Sequence, residues 1–421
     1  MAGVAGRLVD VAERLLGGPF PVGVRAWDGS RAGPTEGPCV VLRSRRALRH
    51  LLWRPGELGL ARAYVTGDLD VDGDLAEGLS RFWRLDRSRP GVADWGEIVR
   101  VAVRVGALGP RPRPPAAEAR LTGRPHTRRR DRAAIAHHYD LSNDFYRLLL
   151  DEHLAYSCAY WTSEDPGYTL HDAQTDKLEL ICAKLGLRPG QRLLDVGCGW
   201  GSLLLYAARH HGVHATGVTL SRQQYDLVRE RVAAEGLAGR VRVRHGDYRE
   251  LTDRPFDAVA SVEMGEHVGE ANYPTYAATL HRLLEPGGRL LLQQMSRGVT
   301  APGGGAFIET YIAPDMTMRP VGGTLDHLGR AGFEIRDVEA LREHYVRTIR
   351  AWLSTVERRW PELVELVGRE QARIWRLYLA GGALAFEENR MGVDQIVAVR
   401  PTGAGRSGMP VVRAGVSCPP S

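Results

Sequence analysis

The chain has 421 residues, room for two domains or for one large domain with an appendage. Hydrophobic residues make up 43% and charged residues 25%, which excludes wholesale disorder. The longest uncharged stretches, such as Leu377–Phe386, fall short of the roughly 20 apolar residues needed to span a bilayer. Net charge is +6, and Lys177 and Lys184 are the only lysines among 56 basic residues. GC-rich codon usage is enough to explain that bias. Its physical consequence is a set of permanent, bidentate anion binders suited to nucleic acid or to an anionic membrane surface.

Residues 1–16 carry Val4, Leu8, Ala12, Leu15 and Leu16 on one face, which predicts an amphipathic helix. Packing on its own domain is the plainer use of that face, and a membrane-surface helix is the alternative. Asp10 and Glu13 interrupt any apolar core of a secretory signal. Short β-like runs follow, including Pro38–Leu42, then helices over Arg45–Trp53 and Leu75–Trp83. Residues 1–107 thus read as a small mixed α+β N-terminal domain. Residues 108–132 form a Pro/Arg-rich linker, with Arg120, Arg124, Arg128, Arg129, Arg130 and Arg132 after an extended Gly-Pro-Arg-Pro run. Such a run is a solvated connector or a contact for anionic lipid.

From residue 133 to 400 the pattern alternates. Strands are expected at Arg192–Val196, His214–Val218, Val241–His245, Ala258–Val262 and Arg289–Gln294, with helices at Ser202–His210 and Arg222–Glu235. Strand–helix alternation implies an α/β, doubly wound parallel sheet. Residues 341–390 add helices rich in Trp and Tyr, and residues 401–421 read as a disordered tail. Five scattered cysteines form no C-x-x-C pair, so no metal site or disulfide framework is indicated, and a reducing, cytoplasmic setting follows.

Asp195-Val-Gly-Cys-Gly-Trp-Gly201 joins the first of these strands to a helix. Gly197, Gly199 and Gly201 let the backbone turn tightly and approach a ligand at the helix N-terminus. The spacing is not that of a dinucleotide fingerprint, and no Walker lysine is present. It resembles the signature of class I S-adenosylmethionine (SAM) methyltransferases. Asp195 offers an acid for the SAM amine, and Asp247, Phe256-Asp-Ala-Val259 and Leu284-Glu-Pro-Gly-Gly288 stand in that fold's order. Where the second strand of the class usually ends in an acid for the ribose, Thr219 stands here.

That departure, with His138-Tyr-Asp-Leu-Ser-Asn-Asp144, Tyr156-Ser-Cys-Ala-Tyr-Trp161, Gly217-Val-Thr-Leu-Ser221, Gly265-Glu-His-Val-Gly269 and Tyr345 followed by Trp352, resembles the cyclopropane-fatty-acyl-phospholipid synthase family. The likeness covers roughly residues 130–400; Leu60–Asp68 more weakly resembles the family's N-terminal lipid-binding domain. The resemblance implies a SAM-dependent C-methyltransferase acting on the double bond of an unsaturated, oleoyl-type phospholipid acyl chain. Methyl transfer there leaves a carbocation, which needs water excluded and aromatic faces nearby. Tyr160, Trp161, Tyr311 and Tyr345 are candidates. By resemblance SAM is held by Tyr139, Tyr156, Ser157, Gly197, Gly199, Thr219 and Gln224, with adenine near Asp247 and Tyr248. The proton-accepting bicarbonate of the family implies Cys158, Glu266, Tyr345 and a histidine after the fifth strand. His267 reads as structural.

Two positions depart from ordinary cyclopropane synthases. Gln293 stands for the histidine, and Glu263 stands where glycine is usual. An amide cannot titrate near neutrality, and an added carboxylate could steer which proton leaves. Bicarbonate is accordingly a weaker expectation than SAM. The cation closes to a cyclopropane, or a hydride shift and deprotonation give an exocyclic methylene, as in actinobacterial enzymes that start 10-methyl-branched (tuberculostearic-type) chains. The departures favour the methylene, with a separate reductase as partner. A small-molecule O/N-methyltransferase is the alternative from another class. The expected setting is the inner face of the cell membrane, as a peripheral enzyme and, by resemblance, a homo-oligomer, with no nucleic-acid partner.

Overall fold

The computed structural model describes residues 3–84, 92–119, 123–127, 130–131, 142–300 and 305–410. The chain forms two compact units. One takes residues 1–120 with 304–312 and 356–384; the other takes 121–303, 313–355 and 385–421. The N-terminal unit therefore includes two segments that lie, in sequence, within the region read as the methyltransferase domain.

In the first unit, the helix Val4–Leu16 ends at Gly17, whose left-handed φ of 67° suits glycine. Its apolar stripe packs on its own unit: Val4, Leu8 and Leu15 lie against Val11, Val101, Ala102 and Val105. Strands β1 (Gly23–Arg25), β2 (Arg31–Ala32), β3 (Cys39–Leu42) and β4 (Leu69–Asp72) form a sheet in the order β2-β1-β3-β4. Asp74 caps Leu75–Trp83, its carboxylate accepting from the backbone N–H groups of Ala76 and Glu77. Glu57–Val65 is a helix that the sequence reading did not assign. Leu58, Gly59, Ala61, Arg62, Ala63, Tyr64 and Val65 are all buried, so no apolar stripe marks it.

The second unit is built on a seven-stranded sheet. Its strands are β5 (Arg192–Val196), β6 (His214–Thr219), β7 (Val241–His245), β8 (Phe256–Val262), β9 (Leu284–Ser296), β10 (Glu334–Ala340) and β11 (Gly392–Val399), in the order β10-β11-β9-β8-β5-β6-β7. β9, β8, β5, β6 and β7 run parallel; β11 is antiparallel to both of its neighbours, β9 and β10, so β10 points the same way as the parallel strands. Successive residues face opposite layers. Leu193, Ala258 and Leu291 join the core under the helices Leu170–Leu185, Ser202–His210 and Arg222–Ala234. Leu194, Val259, Leu290 and Leu292 join the core under Tyr273–Arg282 and Val321–Arg330. Strand order reverses at β5, between β6 and β8, and a crevice opens beyond the carboxyl ends of those strands. Two further helices fill the expected helical region: Arg342–Arg358, mostly in this unit, and Trp360–Glu387, broken at Gly368 (φ 79°) and mostly in the first unit. No described helix is long and apolar enough to cross a membrane. Residues 401–410, read from sequence as tail, include a turn in which Thr402 N–H donates to Arg406 O at 3.0 Å. Residues 411–421 lie outside the described residues.

Candidate active site

A cavity sits at the switch point, within the second unit. Its wall includes Tyr156, Ser157, Lys177, Asp195, Gly197, Cys198, Gly199, Thr219, Gln224, Tyr248, Arg249, Glu263 and Met264. Gly197 and Gly199 have φ of 81° and 53°, which glycine adopts at no steric cost. A Cβ on Gly197 would stand 2.7 Å from Met264 Cγ, whereas one on Gly199 would meet nothing within 4 Å. The loop is therefore an open cradle.

Asp195, at the end of β5, is 3% exposed and its Oδ1 has no hydrogen-bond partner among the described residues. Burial pushes its carboxyl up to about 7, against the opposing pull of Lys177. A buried acid with one unpartnered oxygen beside an open backbone cradle fits a cationic amine. Lys177 is buried on the inward face of Leu170–Leu185 and donates to Ser157 Oγ at 3.0 Å. One turn earlier, Gln174 Nε2 holds the carbonyls of Ala155 and Ser157 at 3.1 and 2.9 Å. Thr219 Oγ1 donates to Gln224 Oε1 at 2.7 Å, and Ser221 caps the helix that carries Gln224. Ser142 caps Asn143–Leu149, and Asn143 accepts from Trp200 Nε1 of the glycine loop at 3.1 Å.

The opposite wall carries a carboxylate hub. Glu263 follows β8 with φ of 50°, in the left-handed region. Its Oε1 accepts from the Cys158 N–H at 2.7 Å and from Gln293 Nε2 at 2.9 Å, and its Oε2 accepts from the Tyr345 hydroxyl at 2.5 Å. Burial pushes this carboxyl up; the three donors pull it back toward the ionised form. The amide of Gln293 is itself oriented. Its Oε1 accepts from Gln395 Nε2 at 2.9 Å across the β9–β11 register, and Gln395 Oε1 accepts from Lys184 Nζ at 2.7 Å. Lys184, Gln395, Gln293 and Glu263 thus form one donor-to-acceptor chain. Glu266 is 1% exposed and neither carboxyl oxygen has a side-chain partner among the described residues. Burial, then the charge of Glu263, pushes it up to about 8, so it is neutral at pH 7. The Cys158 thiol is buried and raised well above its usual range, which leaves it protonated.

Of the expected residues, Tyr156, Ser157, Asp195, Gly197, Gly199, Thr219, Gln224, Tyr248 and Glu263 line the cavity. Cys158, Gln293 and Tyr345 reach it through Glu263. Tyr139 lies outside the described residues. Gly201 serves packing: its φ is 84° and a Cβ would meet Val228 Cγ1 at 3.1 Å. Asp247 is turned toward Arg249, with contacts of 2.8 and 2.5 Å. Tyr160 stacks on His344, Trp161 donates to Thr348, and Tyr311 donates to Glu118 in the N-terminal unit; none of the three lines the cavity. The sequence reading missed Lys177, Gln395 and Lys184. A lone amide inside the apolar run Val393–Val399 was the available signal for Gln395. Elsewhere, ligand atoms of Asp151, His153 and His171 lie within 4.8 Å of one another, but Asp151 already accepts two backbone N–H groups at 3.0 Å.

The family profile of mycolic acid cyclopropane synthetases matches residues 126–396. A probable fatty acid methyltransferase of Mycobacterium tuberculosis is 37% identical over 410 residues, covering 94% of each chain. A tuberculostearic acid methyltransferase of the same organism is 32% identical over 410 residues, covering 93% of this chain and 91% of its own. A crystal structure of a mycolic acid cyclopropane synthase complexed with SAH and CTAB superposes with a TM-score of 0.60 at 32% identity, covering 63% of this chain and 97% of that one. The seven-stranded sheet is that of a class I SAM-dependent methyltransferase. The chain belongs to the mycolic acid cyclopropane synthetase family, and its methyl donor is SAM.

Proposed function

We propose that this enzyme methylates the double bond of an unsaturated, oleoyl-type acyl chain of a phospholipid and releases a 10-methylene product. The supporting observation is Glu263, a carboxylate fixed by Cys158, Gln293 and Tyr345 in the wall of the SAM cavity. SAM, when bound, supplies an electrophilic methyl group. Gly197 and Gly199 would give its amino-acid end room, Asp195 would pair with its ammonium, Thr219 and Gln224 would hold the ribose, and Tyr248 would meet the adenine.

An alkene attacks the methyl carbon only if held in line, and orientation can remove up to about 7–11 kcal/mol of such a barrier. The carbocation that follows sits beside an anion that cannot diffuse away. A fixed carboxylate stabilises it, and the longer the cation persists, the better a hydride shift competes with ring closure. A proton then leaves the new methyl group, and its C–H electron pair becomes the C=C bond. The tuberculostearic acid methyltransferase likeness over 93% of the chain supports the same outcome. Cyclopropane formation is the second reading, supported by the presence of Cys158, Glu266 and Tyr345 together. In the same proposal the enzyme works at the inner face of the cell membrane, as a homo-oligomer, and hands its product to a separate reductase.

Proton NMR of the fatty acids after incubation with SAM and oleoyl phospholipid tests the reading. Vinylidene protons are expected. High-field ring protons would make the product a cyclopropane, and unmodified lipid would remove the acyl substrate altogether.

A further inference from the structure

The family resemblance implies a bicarbonate ion as the base, held by Cys158, Glu266, Tyr345 and a histidine. The residues present do not fit that ion. The Cys158 N–H, the amide at the histidine position and the Tyr345 hydroxyl all donate to Glu263, at 2.7, 2.9 and 2.5 Å. Three donors on two oxygens satisfy one carboxylate-shaped anion. A second anion in the same place would find those donors engaged and would face the Glu263 charge in a dry site, where like charges repel strongly. The remaining expected ligand, Glu266, is a neutral acid at pH 7 and has a single proton to offer.

We infer that Glu263 takes the place of bicarbonate, so that the reaction needs no exogenous anion. The inference rests on the acyl-methylation reading above. A carboxylate is a planar, two-oxygen anion like the ion it replaces. The backbone explains how it arrives there. With φ of 50°, position 263 suits glycine, and a glutamate tolerates it because three hydrogen bonds hold its side chain. In the step assigned to it, a C–H bond of the cation breaks, its electron pair forms the new carbon–carbon bond, and the proton goes to a Glu263 oxygen. Gln293 holds that oxygen in position, and its own amide is set by Gln395 and Lys184.

The test uses the full chain in two arms. In the binding arm, carbon-13 bicarbonate is titrated into the SAH complex and followed by NMR. Wild type is expected not to bind it, whereas Glu263→Gly, which relieves the backbone and opens the cage, is expected to bind it. Bicarbonate binding to wild type as tightly as to Glu263→Gly would overturn the inference even if no lipid substrate were found. In the activity arm, CO2-free buffer is expected to leave wild-type turnover unchanged. Glu263→Gly is expected to lose ~100-fold or more of its turnover, the scale of a general base, and to recover part of it with added bicarbonate or formate. Glu263→Gln, with its side chain still filling the cage, is expected to lose turnover without such rescue. A wild type that methylates lipid only when bicarbonate is supplied overturns this inference and leaves the acyl reading standing. A wild type that excludes bicarbonate yet methylates no lipid does the reverse.

Discussion

At the scale of single residues, the site depends on where ionisable groups are placed relative to water. Asp195 is buried with an unpartnered oxygen, and its carboxyl sits up at about 7. On the proposed pairing of Asp195 with the SAM ammonium, only the ionised form attracts it, so affinity should fall as pH drops through about 7, by as much as tenfold per unit below it. Calorimetric titration of SAM between about pH 6 and pH 8 checks this, with Asp195→Asn expected to bind weakly and with no such slope. A wild-type affinity flat across the range would mean that Lys177, the one group opposing the shift, keeps Asp195 ionised throughout. Asp195, the glycines and Glu263 were legible in the sequence because each sits within a short string whose spacing has a chemical meaning. Gln395 was not, since it lies 102 residues from its partner Gln293 and only strand register brings them together.

Among elements, β9, β11 and the helix Leu170–Leu185 act jointly on Glu263. Lys184 from the helix donates to Gln395 on β11, which donates to Gln293 on β9, which donates to the carboxylate. An amide has a donor end and an acceptor end, so each link fixes the orientation of the next. Gln395→Leu would leave Gln293 Oε1 buried without its donor, a penalty of ~1–3 kcal/mol that turning the amide toward another partner can relieve. Turned, the amide presents oxygen to an anion. Turnover is therefore expected to fall ~10-fold or more with SAM affinity unchanged, and Gln395→Glu should not restore it. Steady-state kinetics with separate SAM titration decide it; a loss confined to SAM binding would show that the chain serves the cofactor side. The parallel strands were legible because strand and helix alternate at short, regular spacing. The helix Glu57–Val65 was not, because a helix buried on nearly every side shows no stripe.

At the scale of the whole molecule, two arginines that the sequence counts as charge are tied into the fold. Arg130, part of the expected lipid-binding run, is 14% exposed at its side chain and grips Asp315 through two contacts of 2.6 and 3.0 Å. Its partner lines the cavity at the switch point, so Arg130 belongs to that cavity's surroundings rather than to a free basic face. Arg373 makes the same point for the N-terminal unit, to which the segment 356–384 returns late in the chain. Its guanidinium is buried, donating to Tyr64 O at 2.6 Å, to Leu69 O at 2.8 Å and to Asp70 at 3.2 Å, and it lies 4.1 Å from the centre of the Tyr64 ring. Those partners lie some 300 residues away in sequence, which no local pattern could reveal. Breaking a buried pair by removing one partner costs about 3–5 kcal/mol. Arg43 still reaches Asp70 at 2.9 Å, so Arg373→Ala should fall at the low end of that range. The loss should appear in the N-terminal unit first, as a lower denaturation midpoint and faster hydrogen exchange over residues 57–72 and 363–380, with SAM affinity retained. Equal loss of protection across β5 to β9 would instead mean that the two units unfold as one cooperative body, and that the late return of the chain couples them.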